Sequence, residues 1–304
     1  MIPIILSEPF RAIFYAPYYV AEARGAFARQ GLDLRMRMAG SPNLAAEMLL
    51  DGTADVAWSG PMRPMLEASR DPASPLRTFG AVVMRDPFLI VGRQPRPGFA
   101  LADLATLRLG VTSEVPTPWW CLQDDIRRAG LDPAVLDLRL GHGMAENAAA
   151  VMEGELDAAL LFEPFASQME LAGGAVWYAS ASRGLTAYSA LYATAASIAG
   201  RRPAMLALVR ALAETLEWVR DASPEAIAAA IGSCFPELEP AVLMRGLARY
   251  KALGLWSAAP VLPEEALDRL AGAMISAGAM THHPGAGACV DAGLVEEALA
   301  TSSR

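Results

Sequence analysis

Cysteine and histidine are scarce in this 304-residue chain. Three of each occur, at Cys121, Cys234, Cys289, His142, His282 and His283. The cysteines are odd in number, far apart and without CxxC spacing, which fits neither a disulfide framework nor a zinc site. The histidine pair is followed by PGAGAC, a sequence typical of a solvated turn. We therefore expect neither a metal nor a cofactor.

Positive charge and long apolar runs are also lacking. The formal net charge is -8 and no basic run occurs, which argues against nucleic acid as a partner. Apolar stretches are interrupted well before the roughly 18 residues that a membrane span requires. The first ten residues, MIPIILSEPF, have no positively charged segment and no long apolar segment, so we expect no signal peptide there. The chain is thus expected to be periplasmic if a leader was trimmed, and cytoplasmic otherwise.

The composition that remains is that of a globular α/β protein. Hydrophobic residues make up 54% and charged residues 19%, and the length allows about two domains. IPIIL predicts a strand, residues 17–30 a helix that ends at Gly31, and the alternating LDLRMRM a second strand. A further helix and the apolar DVAWS follow. Strands that alternate with helices predict a mostly parallel sheet covered by helices.

An internal repeat indicates two lobes of the same plan. RQGLDLRMRMAGSPNLAAEMLLDGTADVAWSG, from Arg29, recurs in outline as RAGLDPAVLDLRLGHGMAENAAAVMEGELDAALLFEP, from Arg128. Each copy ends in an acidic residue, glycine, two further residues and an aspartate (Asp55 or Asp157), followed by an apolar strand. Apolar strands at 76–99 and 185–198 read as two crossings between the lobes. We therefore expect lobe 1 to comprise residues 1–86 and 190–304, with several helices in 203–303, and lobe 2 to be the inserted residues 87–189.

Polar and aromatic residues gather where the predicted strands end, which is where open parallel sheets bind ligands. The candidate ligand-binding residues are Glu8, Arg11, Tyr15, Tyr18, Trp58, Ser59, Gly60, Arg63, Arg85, Ser113, Glu114, Thr117, Trp119, His142 and Glu163. Tyr15 and Tyr18 are expected to border the gap between the lobes, with one face of each ring towards solute. Aromatic walls with a few fixed polar groups suit a small organic ligand.

The charge of that ligand stays open at this stage. Arg11, Arg63 and Arg85 favour an anion, as does the helix N-terminus where Thr117 is expected to be the N-cap and Pro118 the first helical residue. Glu8 instead suits an aminopyrimidine stacked on Trp58 or Trp119. The sequence supports both options equally.

The segment YAPYYVAEARGAFARQGLDL, followed by DGTADVAWSG, resembles the type II periplasmic substrate-binding proteins of ABC transporters related to sulfonate-binding and thiamine-pyrimidine-precursor-binding proteins (NMT1/THI5-like). The likeness continues in outline through GLDP and GELDAALLFEP. This resemblance implies two α/β lobes that close on a ligand by a hinge motion, and delivery to a membrane permease. We accordingly expect a monomeric solute-binding protein that touches the membrane only through the permease.

Enzymes related to this family supply the alternative of a cytoplasmic enzyme or ligand sensor on the same fold. A pyrimidine-synthesising relative uses a lysine and a histidine where this chain has Ser59 and Arg63. The one lysine of this chain is Lys251, in the helical tail. A desulfinase relative uses a cysteine after the first strand, where this chain has none. Cys121, near a helix start that could lower its pKa, is a remaining nucleophile candidate. We expect no enzymatic activity.

Overall fold

Two five-stranded sheets organise the chain in the computed structural model, which describes residues 1–300. The strands are β1 Ile2–Glu8, β2 Leu32–Met38, β3 Val56–Ser59, β4 Leu76–Val83, β5 Leu89–Gly92, β6 Arg108–Thr112, β7 Asp137–His142, β8 Ala158–Leu161, β9 Ala175–Ala179 and β10 Ser189–Thr194. The first sheet has the order β2-β1-β3-β10-β4 and the second the order β7-β6-β8-β5-β9. We call the bodies around these sheets lobe 1 and lobe 2.

Helices cover both sheets. They are α1 Ala16–Ala23, α2 Ala26–Arg29, α3 Pro42–Leu50, α4 Met62–Arg70, α5 Thr117–Arg128, α6 Met144–Glu153, α7 Phe165–Leu171, α8 Ala195–Gly200, α9 Arg202–Asp221, α10 Pro224–Ile231, α11 Pro240–Ala252, α12 Glu264–Ser276, α13 Ala286–Cys289 and α14 Ala292–Ala300. The single helix expected over 17–30 is two helices, because Gly25 between them has a left-handed φ of 69°. Within residues 1–300, no helix has the length and apolar character needed to cross a membrane.

Each sheet is mostly parallel, as the sequence predicts. β1 pairs in parallel with β2 and β3, and β6 pairs in parallel with β7 and β8. The reversed strands are β10, antiparallel to β3 and β4, and β5, antiparallel to β8 and β9. Each reversed strand is the first after the chain crosses from one sheet to the other. Lobe 2 is thus inserted in lobe 1, with β5 and β10 buried inside their sheets.

The internal repeat has a physical basis in the backbone. Gly31 and Gly130 both end a helix with a left-handed φ, of 80° and 85°. Asp55 and Asp157 then serve matching strands: Asp55 Oδ2 accepts from the Ile5 N–H at 2.8 Å, and Asp157 Oδ2 accepts from the Arg108 N–H at 2.7 Å. Ile5 lies in β1 and Arg108 begins β6. Equivalent aspartates therefore join equivalent pairs of strands in the two lobes.

Two crossing segments join the lobes, and a buried ion cluster holds them together. Arg183, in the return crossing, pairs with Asp86 of the outgoing crossing and with Asp125 of α5. All three side chains are at least nine-tenths buried. Arg85 also donates to the Ala181 carbonyl oxygen at 3.0 Å. The crossings therefore form one packed hinge region rather than two free strands.

The helical tail contacts both lobes. Helix α9 packs on α1 and α2 of lobe 1, whereas α12 packs on α5 and α11 on α7 of lobe 2. Arg249 of α11 forms ion pairs with Glu163, at 2.7 Å, and with Glu170. Trp256, just beyond α11, donates to the Phe14 carbonyl oxygen at 2.9 Å. The tail thus limits how far the lobes can separate near the hinge.

Candidate functional site

A cavity of about 380 Å³ lies between the lobes, a volume within the usual range for small-molecule sites. Its walls come from the segments that follow β1, β2 and β3 in lobe 1 and β6 in lobe 2, with residues of both crossings. The lining residues are Phe10, Phe14, Tyr15, Ser41, Pro42, Asn43, Ser59, Gly60, Met62, Arg63, Leu66, Arg70, Phe88, Ser113, Glu114, Val115, Pro116, Thr117, Trp120 and Tyr188. The carboxyl ends of strands from both sheets therefore face one cleft, as expected.

The lobe 1 wall is built from two helix starts. Ser41 precedes α3, and its hydroxyl oxygen accepts from the Leu44 N–H at 3.2 Å, so the side chain caps the helix. Helix α4 begins directly after β3, where the Arg63 N–H donates to the Gly60 carbonyl oxygen at 3.3 Å. Pro42 and Met62, the first residues of α3 and α4, both line the cavity. Their positive helix ends favour negative charge in the cleft.

The lobe 2 wall differs from the sequence expectation at Thr117. Thr117 is the first residue of α5 rather than its N-cap, and the capping position is held by Pro116, which makes no side-chain cap. Pro116 and Pro118 have no backbone N–H. The Trp119 and Trp120 N–H groups both donate to the Pro116 carbonyl oxygen at 3.1 Å. Thr117 is thus the main amide donor that this turn can offer to a ligand.

Aromatic rings form the inner wall of the cavity. Phe14 and Tyr15 pack at 4.3 Å between ring centroids, and Tyr188 meets Phe14 edge to face at 6.4 Å. Phe88 lies 6.3 Å from Tyr188, and Phe10 lies 5.8 Å from Tyr15. Burial raises the pKa of Tyr15 well above its ordinary value, with a hydrogen bond to Ser59 opposing that shift. The wall is therefore apolar and carries neutral hydroxyl groups.

The charges at the cavity are mostly positive. Arg63 Nη1 lies 3.6 Å from the Glu67 carboxylate, which also lies 3.7 Å from Arg70. The Arg63 side chain is 19% exposed, whereas Arg70 is 65% exposed. On the other wall, Glu114 Oε1 accepts from the Met144 N–H at 2.9 Å, and Oε2 bonds the Thr112 hydroxyl. Both oxygens of the Glu114 carboxylate thus have hydrogen-bond partners, whereas the Arg63 side chain is held, among the described residues, only by its long ion pair with Glu67.

The structure brings together seven of the fifteen candidate residues. These are Tyr15, Ser59, Gly60, Arg63, Ser113, Glu114 and Thr117. The other eight lie elsewhere, each for a local reason.

Glu8 and Arg11 pair with each other beside the cleft instead of lining it. Arg11 Nε lies 3.1 Å from Glu8 Oε1, and the Tyr19 hydroxyl donates to the same oxygen at 2.6 Å. Arg11 also stacks over the Tyr19 ring and donates to the Cys234 carbonyl oxygen. Burial raises the pKa of Glu8 above its ordinary value. Its hydrogen-bonding capacity is used within the protein, so it does not supply an acceptor for an aminopyrimidine.

Tyr18 and Trp58 are core residues, contrary to the sequence expectation. Both are 0% exposed, and their rings stack at 4.3 Å with 13° between the planes. Tyr15, in contrast, ends the short 3-10 turn that precedes α1, and it lines the cavity. The helix start therefore presents one tyrosine to the cavity and buries the other.

Arg85, Trp119 and His142 also point away from the cavity lining. Arg85 ties the two crossing segments, as described above. Trp119 packs against the main core, and its neighbour Trp120 lines the cavity, since one helical step turns a side chain by about 100°. His142 lies at the end of the edge strand β7, where its Nδ1 is 3.3 Å from Arg139 Nη2 and 3.7 Å from the Glu146 carboxylate.

Glu163 is completely buried and binds the tail. Its Oε1 accepts from Arg249 Nε at 2.7 Å, and its Oε2 accepts from the Ser167 N–H at 2.9 Å. Its own N–H donates to the Tyr250 hydroxyl at 2.9 Å. The carboxylate and the N–H of this residue thus have structural roles, and two of their three bonds join lobe 2 to α11.

Sequence reasoning missed most of the apolar lining and the α3 start. Ser41, Pro42 and Asn43 follow β2 in the same way that Ser59 follows β3, so the strand-end rule was sufficient to find them. Phe88 and Tyr188 lie in the crossings, and no local pattern sets them apart.

The nucleophile candidates lie outside the cavity. Within residues 1–300, none of the cavity-lining residues is a cysteine, lysine or histidine. Cys121 lies beside the hinge ion cluster, and burial raises its pKa to about 12, the opposite of the lowering that the sequence suggested. Lys251 donates to the carbonyl oxygens of Val219, at 3.1 Å, and Arg220, at 2.8 Å. It therefore caps the end of α9.

A family model described as NMT1/THI5 like matches residues 13–226, which is more than half of the chain. The chain belongs to the NMT1/THI5-like family. The chain is similar to YtlA of Bacillus subtilis (strain 168), which is named as a binding protein. The two are 25% identical over 281 residues, which cover 91% of this chain and 84% of YtlA.

Solved structures similar to this NMT1/THI5-like chain include a binding protein and an enzyme. The alkanesulfonate-binding protein SsuA from Xanthomonas axonopodis pv. citri, bound to MOPS, has a TM-score of 0.71 at 17% identity, covering 95% of this chain and 98% of that one. The desulfurization enzyme DSZB has a TM-score of 0.70 at 16% identity, covering 99% and 100%. At these identities the likeness establishes the shared two-lobed fold, that of periplasmic binding proteins.

Proposed function

We propose that this chain is a solute-binding protein that captures a small organic anion between its lobes and delivers it to an ABC transporter permease. The observation that carries the proposal is the pairing, in one interlobe cavity, of an aromatic wall with a largely buried Arg63 whose nearest carboxylate is 3.6 Å away. An arginine held so loosely is available for a charge-assisted hydrogen bond to a carboxylate or sulfonate.

An anion fits this cavity better than the pyrimidine that the sequence left open. Glu8, the acceptor on which the pyrimidine option depended, is buried and bonded to Tyr19 and Arg11. Trp58, one of the two proposed stacking partners, is fully buried, and Trp119, the other, does not line the cavity. The starts of α3, α4 and α5 add positive helix ends at the cavity.

The relatives support transport. YtlA is named as a binding protein, and SsuA binds alkanesulfonates. By analogy, the NMT1/THI5-like chain works outside the cytoplasm as a monomer, and its lobes, residues 1–86 with 190–304 and residues 87–189, close on the ligand about the two crossings. Contact with the membrane is made through the permease alone.

The similarity to DSZB raises the alternative of an enzyme on the same fold. The cavity-lining residues of the described chain include no thiol, amine or imidazole, and the carboxylate oxygens of Glu114 are both bonded within the protein. We therefore propose binding without turnover.

A thermal-shift screen with matched probes tests this proposal. Benzenesulfonate and benzoate are compared with benzenesulfonamide and benzamide, which have nearly the same shape without the charge, and with 4-aminopyrimidine. Aliphatic sulfonates extend the series. We expect anions to raise the melting temperature and their neutral partners not to, because binding stabilises the folded state by mass action. A shift by 4-aminopyrimidine alone, or a product detected by mass spectrometry after incubation, contradicts the proposal.

A further inference from the structure

Building on the proposed function, we infer that Tyr188 selects anionic ligands that also carry an uncharged hydrogen-bond acceptor, such as a ring nitrogen, a carbonyl or a hydroxyl. The ligand class is then an aromatic or heteroaromatic carboxylate or sulfonate with a second polar atom, rather than a simple aliphatic or phenyl anion. Arg63 receives the charged end, and Tyr188 receives the neutral acceptor.

Tyr188 is fixed at the point where the return crossing enters lobe 1. Its N–H donates to the Val83 carbonyl oxygen at 3.0 Å, directly before β10 begins. The ring packs against Phe14 and Phe88, so its position depends on neighbours that line the same cavity. The residue is 8% exposed. A side chain so held cannot turn its hydroxyl out to bulk solvent.

The hydroxyl of Tyr188 has no hydrogen-bond partner among residues 1–300, although it is buried. Burial raises its pKa well above the ordinary value, with the nearby Asp86 acting in the same direction, so it remains a protonated donor at neutral pH. Buried polar groups in proteins are nearly always satisfied, and an unsatisfied one calls for an explanation. Here the explanation is an acceptor on the ligand.

Arg63, which is proposed to bind the charged end of the ligand, also has an unpartnered hydrogen-bond donor. Its Nε is buried and also lacks a partner among the described residues. One cavity thus combines an unpartnered cationic donor from α4 with an unpartnered neutral donor from the crossing. A ligand that satisfies both must carry a charged group and a neutral acceptor, and the cavity that both residues line also has an aromatic wall.

Two other tyrosines provide matched controls. The Tyr192 hydroxyl is likewise buried without a partner in the described chain, but Tyr192 does not line the cavity. The Tyr19 hydroxyl is satisfied by Glu8 at 2.6 Å. Replacing a tyrosine by phenylalanine removes the same oxygen in all three cases, so the variants differ only in what that oxygen does.

The experiment measures affinity by calorimetry at pH 8 for benzoate and for the three pyridinecarboxylates, in which one ring CH is replaced by a neutral nitrogen acceptor. Wild type, Tyr188→Phe, Tyr192→Phe and Tyr19→Phe are compared. We expect wild type to bind one pyridinecarboxylate isomer about five- to tenfold more tightly than benzoate, the typical gain from one buried hydrogen bond. Tyr188→Phe should abolish this preference, whereas Tyr192→Phe should keep it.

Stability separates this role from a structural one. Tyr188→Phe should leave the ligand-free melting temperature unchanged or higher, because it removes a hydroxyl that makes no bond to the described residues. Tyr19→Phe should lower the melting temperature. Equal affinity of wild type for benzoate and all three isomers, or a preference that survives in Tyr188→Phe, overturns the inference but not the proposed function. Failure of every carboxylate and sulfonate probe to bind wild type overturns both.

Discussion

The ring of Tyr18 stacks on the indole of Trp58, with 4.3 Å between centroids and 13° between planes. Both rings are fully buried and outside the cavity lining. Tyr18→Ala should therefore lower the free energy of unfolding of the ligand-free protein by about 3–5 kcal/mol, as for other large aromatic truncations in cores. Urea unfolding followed by far-ultraviolet circular dichroism measures this loss.

Tyr15→Phe is the comparison for Tyr18, because Tyr15 lines the cavity and Tyr18 does not. This milder change should cost little stability and should act on ligand affinity. If Tyr18→Ala instead weakens ligand binding while stability is retained, the assignment of Tyr18 to the core is wrong.

The two repeat aspartates should contribute similarly to stability. Asp55 and Asp157 each accept from a backbone N–H of the neighbouring strand, at 2.8 and 2.7 Å. Hydrogen bonds to charged groups contribute about 1.5–3 kcal/mol, so Asp55→Ala should destabilise by that order, and Asp157→Ala, at an exposed side chain, by the lower end of that range. Asp55 also lies 3.0 Å from Arg201 Nε, and its variant should cost slightly more. Equilibrium unfolding of the two variants makes the comparison, and a loss confined to one of them contradicts the equivalence of the lobes.

Replacing Arg183 in the hinge ion cluster should lower the free energy of unfolding by an amount that depends on pH. Arg183→Met leaves the buried carboxylates of Asp86 and Asp125 without their cation, which typically costs about 3–5 kcal/mol. Burial already raises the pKa of Asp86, with Arg183 opposing this effect. Without Arg183 that pKa rises further, so protonation in mild acid relieves the variant.

The deficit of Arg183→Met relative to wild type should consequently be larger at pH 7 than at pH 5. Urea unfolding at the two pH values measures it. The double variant Asp86→Asn with Arg183→Met should recover part of the loss at pH 7. A deficit that does not depend on pH contradicts the electrostatic interpretation of this cluster.

Glu8 should stabilise the folded state more in acid than at neutral pH, the opposite of the usual contribution of a carboxyl group. Burial raises its pKa above the ordinary 4.5, so the folded state binds a proton more tightly than the unfolded state does. This contribution is fully present below pH 4.5 and is lost as pH rises through the folded-state pKa. The stability of wild type relative to Glu8→Gln should thus fall as pH rises from about 4.5, as measured by thermal unfolding across pH 4–8. A rising difference means that the pKa of Glu8 is lowered instead.

The fold followed from periodicity and repeats, because strand and helix signals are local. The paired glycines Gly31 and Gly130 and the paired aspartates Asp55 and Asp157 recur at matching points, so two lobes of one plan were predictable. Gly25 broke a predicted helix, since a single glycine in a helical pattern does not reveal its φ.

The candidate site was only partly predictable. Position after a strand brings a residue near the cleft, but the rotation of the next helix decides whether it enters, as Trp119 and Trp120 show. Long-range partners were also invisible: Glu163 is bound by Arg249, 86 residues away in sequence. A residue at a strand end that binds such a partner stabilises the fold instead of contacting the ligand, and the local sequence pattern does not predict this.

The affinity of the Arg63→Met variant for an organic anion tests the central claim most directly. Calorimetry with the anion that most stabilises wild type compares Arg63→Met with Arg35→Met, which removes the same charge from a side chain that is 74% exposed and outside the cavity lining. We predict one site per chain and a loss of about 10- to 100-fold in Arg63→Met, the effect of one charge-assisted hydrogen bond, with Arg35→Met close to wild type. Unchanged affinity in Arg63→Met, or an equal loss in both variants, would contradict an anion site between the lobes.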